Sequence, residues 1–277
     1  MSGDLTKYLE GVDIIYYINL DRATERRKNM EELLSHFNIP NVRISAVDGK
    51  NISDDELYNN FIFEGEKNRP KVEYACLLSH FKAFLLFQKM ISEGKNYKNC
   101  LILEDDMTLE YAKYWDKPVS TIMNDAPKDW EIIMLNYTIG GKFNFNELYN
   151  KHKISIWSAG GYIINKNAVN HLLNQIYMNN KFKLLNGYTH NSDNYIFPLL
   201  ITYCYKYPYF TYNDNNDSTI HSDHLDFHIS SKKYIFKNTW DKQLEQFMQP
   251  SCSNFFIYII LFFLILLLVF IIFKLRK

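Results

Sequence analysis

The sequence predicts a mainly parallel α/β sheet carrying helices, followed by a membrane-spanning helix at the carboxyl end, and three observations support this. Uninterrupted apolar runs such as Cys100-Leu101-Ile102-Leu103 have no polar face and read as strands buried on both sides. They alternate with segments of helical periodicity, and a strand-helix-strand order is most economically a parallel sheet. Residues 255–273 are apolar apart from Tyr258 and, at about 1.5 Å per helical residue, are long enough to span a bilayer core.

Residues 13–20 form the first strand. Asp21-Arg22-Ala23-Thr24-Glu25-Arg26-Arg27 then opens a helix whose apolar positions Met30, Leu33, Leu34 and Phe37 recur at helical spacing, and Asn38-Ile39-Pro40 ends it. Residues 42–47 read as a second strand, Ser53-Asp54-Asp55-Glu56 as a capping box opening a short helix, and 61–70 as a polar loop. The broad apolar stripe of Cys76, Leu77, His80, Phe81, Phe84, Leu85, Phe87 and Met90 makes 72–92 a core-packing helix. After the strand at 100–103 come a helix over 114–124, a strand over 130–136, a turn at Gly140-Gly141 and two short strands about Ser158-Ala159-Gly160-Gly161. Asn165 caps a helix through Leu172, Leu173 and Ile176, a further helix covers 195–201, and the aromatic run 203–212, with Pro208, reads as an edge strand.

At 277 residues the chain has ample length for a core, divided as a globular domain over 1–229, a polar stalk over 230–254, the membrane helix over 255–273 and a basic tail over 274–277. Lys plus Arg and Asp plus Glu stand at 31 each, so no global field recruits nucleic acid, and no basic stripe offers it a surface. Cys76, Cys100, Cys204 and Cys252 are scattered without metal spacing, which makes a reduced compartment the default. The first residues, with Asp4, Lys7 and Glu10, contain no continuous apolar run, so the expected topology is a single-pass carboxyl-terminal anchor. Lys274, Arg276 and Lys277 pull against a cytosolic globular part, and the orientation stays open.

The chemistry concentrates where the 100–103 strand runs without a turn into Glu104, Asp105 and Asp106. This is the carboxyl end of a core strand, where open α/β sheets bind ligands. Adjacent carboxylates repel one another and are tolerated only when solvated or neutralised by a cation, for which oxygen donors suit Mn²⁺ or Mg²⁺; the alternative is an ordinary polar loop. The helix start after the first strand favours an anion, and Arg22, Arg26 and Arg27 there either hold a diphosphate or form a solvated first turn. Ser79 and His80 lie near the start of the core helix, His80 as a ligand or as a satisfied core histidine. Gly160-Gly161 is a bulge or a place where backbone approaches a sugar closely. Asp193 is a helix cap or a functional carboxylate, and one imidazole of the His221, His224 and His228 run, taken as His221, completes a divalent site begun by Asp106.

Five blocks in order resemble one family. Tyr17-Ile18-Asn19-Leu20-Asp21-Arg22 with Arg26-Arg27 and Met30, Glu73-x-x-Cys76-x-x-Ser79-His80, and Leu101-Ile102-Leu103-Glu104-Asp105-Asp106 are similar to signature blocks of glycosyltransferase family 25. Ser158-Ala159-Gly160-Gly161-Tyr162-Ile163-Ile164 with Ala168 and Leu172, and then Asp217-Ser218-Thr219-Ile220, resemble later blocks of the same family. The family includes bacterial lipooligosaccharide galactosyltransferases and collagen hydroxylysine galactosyltransferases. The resemblance implies a GT-A type, Rossmann-like fold, a nucleotide-sugar donor, usually UDP-linked, and inversion at the anomeric carbon. With that donor, Mn²⁺ (or Mg²⁺) held by Asp106 and Glu104 or Asp105, with His221 as the completing imidazole read above, bridges the diphosphate. Donor contacts then come from Asn19, Asp21, Arg22, Arg27, Ser79, His80, Gly160 and Gly161, and Asp193, with Asp217 second, is the base that deprotonates the acceptor hydroxyl.

The expected activity is transfer of galactose or glucose to a glycan or protein hydroxyl by a membrane-tethered enzyme, as in lipopolysaccharide biosynthesis. The alternative is a catalytically inactive membrane or virion protein, for example of a large DNA virus, that keeps the fold as a sugar-nucleotide or glycan binding module. The Asn and Lys bias and the carboxyl-terminal anchor motivate that alternative, with a host membrane or the virion as its location.

Overall fold

The computed structural model describes residues 4–213 and 225–248, which fall into two compact units divided between Ile235 and Phe236. In the first unit, β1 (Ile14–Asn19) is followed by α1 (Thr24–Leu34), β2 (Asn41–Ser45), α2 (Asp54–Asn60), β3 (Phe61–Phe63), α3 (Lys71–Ser92), β4 (Asn99–Glu104) and β5 (Met107–Thr108). Then come α4 (Val119–Asp125), β6 (Ile132–Met134), β7 (Thr138–Ile139), β8 (Tyr149–Lys151), β9 (Ile156–Trp157), β10 (Gly161–Asn165) and α5 (Lys166–Ile176). The series continues with β11 (Tyr177–Met178), β12 (Lys181–Leu184), α6 (Ser192–Leu199), β13 (Thr202–Tyr205), β14 (Thr211–Tyr212) and α7 (Leu225–Phe236), which reaches the division. The second unit holds a π-helical turn (Lys237–Asp241) and α8 (Lys242–Met248). Among the described residues no helix is long and apolar enough to cross a membrane, and the membrane helix expected at 255–273 lies outside them.

The central sheet has seven strands in the order β2-β1-β4-β10-β6-β13-β8. β1 is parallel to β2 and β4, β10 is antiparallel to β4 and β6, and β13 is parallel to β6 and antiparallel to β8. Five of the seven strands, β1, β2, β4, β6 and β13, therefore share one direction, as the alternation of apolar runs and helices predicts. Local signals hold as well. The Ser53 N–H donates to Glu56 Oε2 at 2.8 Å and the Glu56 N–H returns to Ser53 Oγ at 3.1 Å, while Asn165 Oδ1 caps α5 by accepting the Ala168 N–H at 2.8 Å.

Three element expectations change. Phe61–Phe63 is a strand paired in parallel with β12, because Phe61 has aromatic surface to bury: its ring meets Tyr74 and Phe81 of α3. The helix expected from residue 114 begins at Val119, after Pro118, which cannot donate within a helix and sits at its start. The aromatic run 203–212 breaks after Tyr205, and β13 lies between β6 and β8 inside the sheet, so the missing N–H of Pro208 falls in a loop.

The 22-residue α3 organises the core. Tyr74, Leu77, Phe81, Ala83, Phe84 and Phe87 are buried along it, and it packs against β1, β2, α5 and α6. The Phe81 and Phe182 rings stack with centroids 4.4 Å apart. The loop after β2 presses on the first turn of this helix at Gly49, where an added Cβ would stand 2.3 Å from the Val72 Cα. Backbone on both sides leaves nothing flexible to yield. Gly49→Ala should therefore lower the unfolding free energy measured in urea by about 1–3 kcal/mol, the usual scale of overpacking; an unchanged value would show that the loop can lift off α3.

Candidate active site

β1, β2 and β4 run in parallel, and the register Ile18↔Glu104 brings the carboxyl ends of β1 and β4 level. The loops that leave these ends, together with the first turns of α1 and α3, enclose a cavity of about 110 Å³. Arg22 and Arg26 line it from the α1 side, Asp48, Gly49 and Lys50 from the loop after β2, Cys76 and Ser79 from α3, and Glu104, Asp105 and Asp106 from β4. This is the crevice that the strand directions make available in an open α/β sheet.

The three carboxylates are treated unequally. Asp105 Oδ2 accepts from Asn19 Nδ2 at 2.7 Å, and Asp105 Oδ1 pairs with Arg26 Nη1 at 2.9 Å in surroundings where both side chains are mostly buried. Glu104 Oε1 meets His80 Nε2 at 3.3 Å and Cys76 Sγ at 3.7 Å. Asp106 Oδ1 is enclosed and has no hydrogen-bond partner. Burial, then the charges of Glu104 and Asp105, push the Asp106 carboxyl up to about 7, against a downward pull from Arg26. The neutralising cation that the sequence calls for is thus in part the protein's own Arg26, while Asp106 Oδ1 is buried without a partner.

The other expected residues sort by what they touch. Asn19 is at the centre: it donates to Asp105 and to the Ala23 carbonyl, and its Oδ1 accepts from Arg43 Nε at 2.9 Å. Arg22 lines the cavity, held by Asp48 at 2.9 Å, and that ion pair keeps the Asp48 carboxyl low. Arg27 does not reach the cavity, because it points along the surface of α1 to Glu31 at 2.8 Å; one residue earlier, Arg26 holds the inward position. Asp21 is exposed and is held by Arg43 and by Ser45 Oγ. Ser79 accepts the Val47 N–H at 2.9 Å and donates to the Ala75 carbonyl at 2.7 Å, which ties the β2 loop to α3. His80 is fully buried, with Tyr162 OH 3.0 Å from Nδ1 and Glu104 on the other nitrogen.

Across β4, the Gly160 carbonyl accepts the Glu104 N–H at 2.9 Å, and Gly161 pairs with Leu103. A Cβ on Gly160 would lie 2.7 Å from Met107 Cε and 3.1 Å from Asn136 Oδ1, so the protein's own packing occupies the space. Asp193, in the first turn of α6, accepts the Ser158 N–H at 3.0 Å and the Asn194 N–H at 2.9 Å. Burial raises its carboxyl, those two N–H groups draw it back, and the charge of Glu104 raises it further. Asp217 and His221 lie outside the described residues. Asp48 and Tyr212 join the site without having been singled out, and Cys76, named only within the Glu73-to-His80 block and the α3 stripe, joins it too. Burial drives the Tyr212 hydroxyl well above its ordinary range, against a downward pull from Ser158, and the charges of Asp106, Glu104 and Asp193 raise it further. Only the pairing of β14 with β5, Tyr212 opposite Met107, brings it there, and no local pattern announces a two-residue strand.

Comparison with known proteins bears on the same residues. A Glycosyltransferase 25 family member of Aedes aegypti is 32% identical over 133 residues, covering 44% of this chain and 21% of that protein. Procollagen galactosyltransferase 2 of Mus musculus is 30% identical over 136 residues, covering 45% of this chain and 21% of that protein. The chain thus spans about a fifth of the length of these curated relatives. Among solved structures, a glycosyltransferase involved in glycosylation of the major capsid of PBCV-1 aligns over 57% of this chain and 61% of its own, with 13% identity and a TM-score of 0.32, a likeness that bears on neither fold nor function. The sequence model described as Glycosyltransferase family 25 (LPS biosynthesis protein) matches residues 12–195, which contain β1 through the first turn of α6, and the chain belongs to that family.

Proposed function

We propose that the chain is a hexosyltransferase that moves galactose or glucose from a UDP-sugar to a hydroxyl of a glycan or protein, with inversion and with a divalent cation. The observation that carries this reading is the enclosed, unpartnered Asp106 Oδ1 beside Glu104, facing a cavity at the carboxyl ends of three parallel strands. Family membership and the procollagen galactosyltransferase relatives support the reaction class. Oxygen donors of this kind fit Mn²⁺ or Mg²⁺. Asp106 and Glu104 would hold the ion, and Asp105 would not, because Arg26 and Asn19 already engage both its oxygens. When bound, such an ion would offset the charge of the departing diphosphate.

The chain's own groups supply the rest. Arg22 and Lys50 on the cavity wall would attract the diphosphate, and Arg26 fixes Asp105 and with it the loop that carries Asp106. Asp193 would take the acceptor hydroxyl proton onto its carboxylate; its burial raises its proton affinity, which suits a base working near neutrality. Ser231 and Ile235 are buried within the first unit, so a stalk would begin only after Ile235 and run to 254, with the apolar run at 255–273 as the membrane tether.

Purified full chain mixed with a panel of UDP-sugars and a hydroxyl acceptor should release UDP from one donor only when Mn²⁺ is present, with matching gain of sugar on the acceptor. Asp193→Asn should lower kcat by roughly 10²–10⁴-fold with little change in donor KM. Sugar-nucleotide binding without turnover, across donors and acceptors, would overturn the transferase reading. A separate expectation concerns stability without metal. The Asp106 carboxyl is at about 7 in the folded chain against 3.8 when unperturbed, under the influence of Glu104, Asp105, Arg26 and Tyr212. A carboxyl raised on folding binds its proton more tightly in the native state, so its contribution is complete at low pH and is lost as pH climbs toward that folded value. Asp106→Asn, measured by urea unfolding in chelator, should gain roughly 1–3 kcal/mol on the parent between about pH 4 and pH 8 while losing transfer. A difference that stays flat with pH would show an ordinary carboxylate.

A further inference from the structure

Cys76, His80 and Glu104 each offer one ligand atom, and the three atoms lie within 4.8 Å of one another. His80 Nε2 stands 3.3 Å, and Cys76 Sγ 3.7 Å, from the same Glu104 Oε1. In a tetrahedral site with metal–nitrogen and metal–oxygen bonds near 2.0 Å and a metal–sulfur bond near 2.3 Å, the edges between ligand atoms run to about 3.3–3.6 Å. The two edges that meet at Glu104 already stand at nearly that spacing.

The supports match too. Cys76 and His80 are four residues apart on α3 and so share a face of that helix, while Glu104 is fixed by its own N–H to Gly160. Tyr162 OH lies 3.0 Å from His80 Nδ1; a proton on Nδ1 donated to that oxygen leaves Nε2 with its lone pair toward Glu104. Ser192 Oγ donates to Cys76 Sγ at 3.1 Å; burial and then the Glu104 charge push the thiol well up against that bond, so a bound cation displaces the thiol proton. Cys76 and Glu104 line the cavity, so a fourth position opens onto it. A nitrogen, sulfur and oxygen set differs in kind from the all-oxygen donors of Asp106 and Glu104 and selects a softer ion.

We propose that Cys76, His80 and Glu104 form a three-ligand site for a thiophilic divalent cation of the zinc class, with its fourth position open to the cavity. The site shares Glu104 with the ion proposed for sugar transfer, and it is tested without that reaction. Cobalt(II) is the probe. The full chain, reduced and stripped of metal with a chelator, should bind one equivalent of Co²⁺ with thiolate-to-cobalt charge-transfer absorption in the near ultraviolet and the intense visible bands of tetrahedral cobalt. An equivalent of Zn²⁺ should abolish both, and an excess of Mn²⁺ should leave them. Cys76→Ser should remove the charge-transfer band, and Cys252→Ser should keep it. Circular dichroism establishes that each variant is folded; Ser192→Ala, which retains all three ligands, should weaken cobalt binding by about tenfold and so reads the site even where Cys76→Ser does not fold. Absence of a charge-transfer band in the folded parent, or a band that survives in folded Cys76→Ser, would overturn the site.

Discussion

Ending a fully buried strand in three consecutive carboxylates is the constraint on which the rest of this site depends. Cys100 to Leu103 have no exposed surface, so Glu104, Asp105 and Asp106 emerge where water can screen little of their charge. Leaving a carboxylate in such a place without a partner costs several kcal/mol, and three adjacent ones compound it. Each is answered differently. Asp105 takes a guanidinium and an amide, Glu104 takes an imidazole edge, and Asp106 answers by holding its proton up to about 7. The inequality is what makes the cluster chemically useful, since compensation of all three would leave no oxygen for a ligand.

Those answers are supplied by elements far apart in the chain and close only because of the sheet. Asn19 reaches Asp105 because β1 and β4 are neighbours in register, and Arg26 reaches it because α1 begins five residues after β1 ends, at Thr24. His80 and Cys76 reach Glu104 because α3 is clamped over the sheet by Phe81, Phe84 and Phe87, whose burial fixes the rotation of the helix. Ser79, on the same turn, spends both hydrogen bonds on fastening the β2 loop to the helix. A core made of aromatic rings therefore does more than stabilise: it sets the angle at which Cys76 and His80, at the amino-terminal end of the same buried face of α3, meet the end of β4.

That arrangement also explains how much the sequence revealed. Strands β1 and β4 were legible because burial on both faces leaves Ile14 to Ile18 and Cys100 to Leu103 without a charged residue, and the Ser53 and Asn165 caps were legible because capping is a contact over three residues. The Glu104-Asp105-Asp106 cluster was legible as a place. What each residue faces was not. Arg26 and Arg27 are equivalent as letters, and only the rotation of α1, decided by burial of Met30, Leu33 and Leu34, turns one toward Asp105 and the other toward Glu31. Cys76 had no metal spacing to mark it, since its partners lie four residues away on a helix and then across to a strand. Phe61–Phe63 and Tyr212 belong to strands of three and two residues, too short for a period of two to show against the background.

Asp193 illustrates how the far wall is held. Its carboxylate accepts the Ser158 N–H, and Ser158 has φ of 98°, a conformation that a side chain disfavours by about 1–3 kcal/mol. The residue stays there because three hydrogen bonds converge on it: its N–H to Asp193 at 3.0 Å, its hydroxyl to Asn136 Oδ1 at 2.6 Å, and the Gly160 N–H to its own Oγ at 3.1 Å. Relaxing the backbone would turn the N–H away from the carboxylate and release the hydroxyl from Asn136, which itself anchors the Phe210 carbonyl just before β14. Glycine would ease the backbone but forfeit the hydroxyl and two of the three bonds. A strained serine is therefore the residue that joins the Gly160 turn, the support of Tyr212 and the carboxylate of Asp193 into one fixed wall facing Glu104.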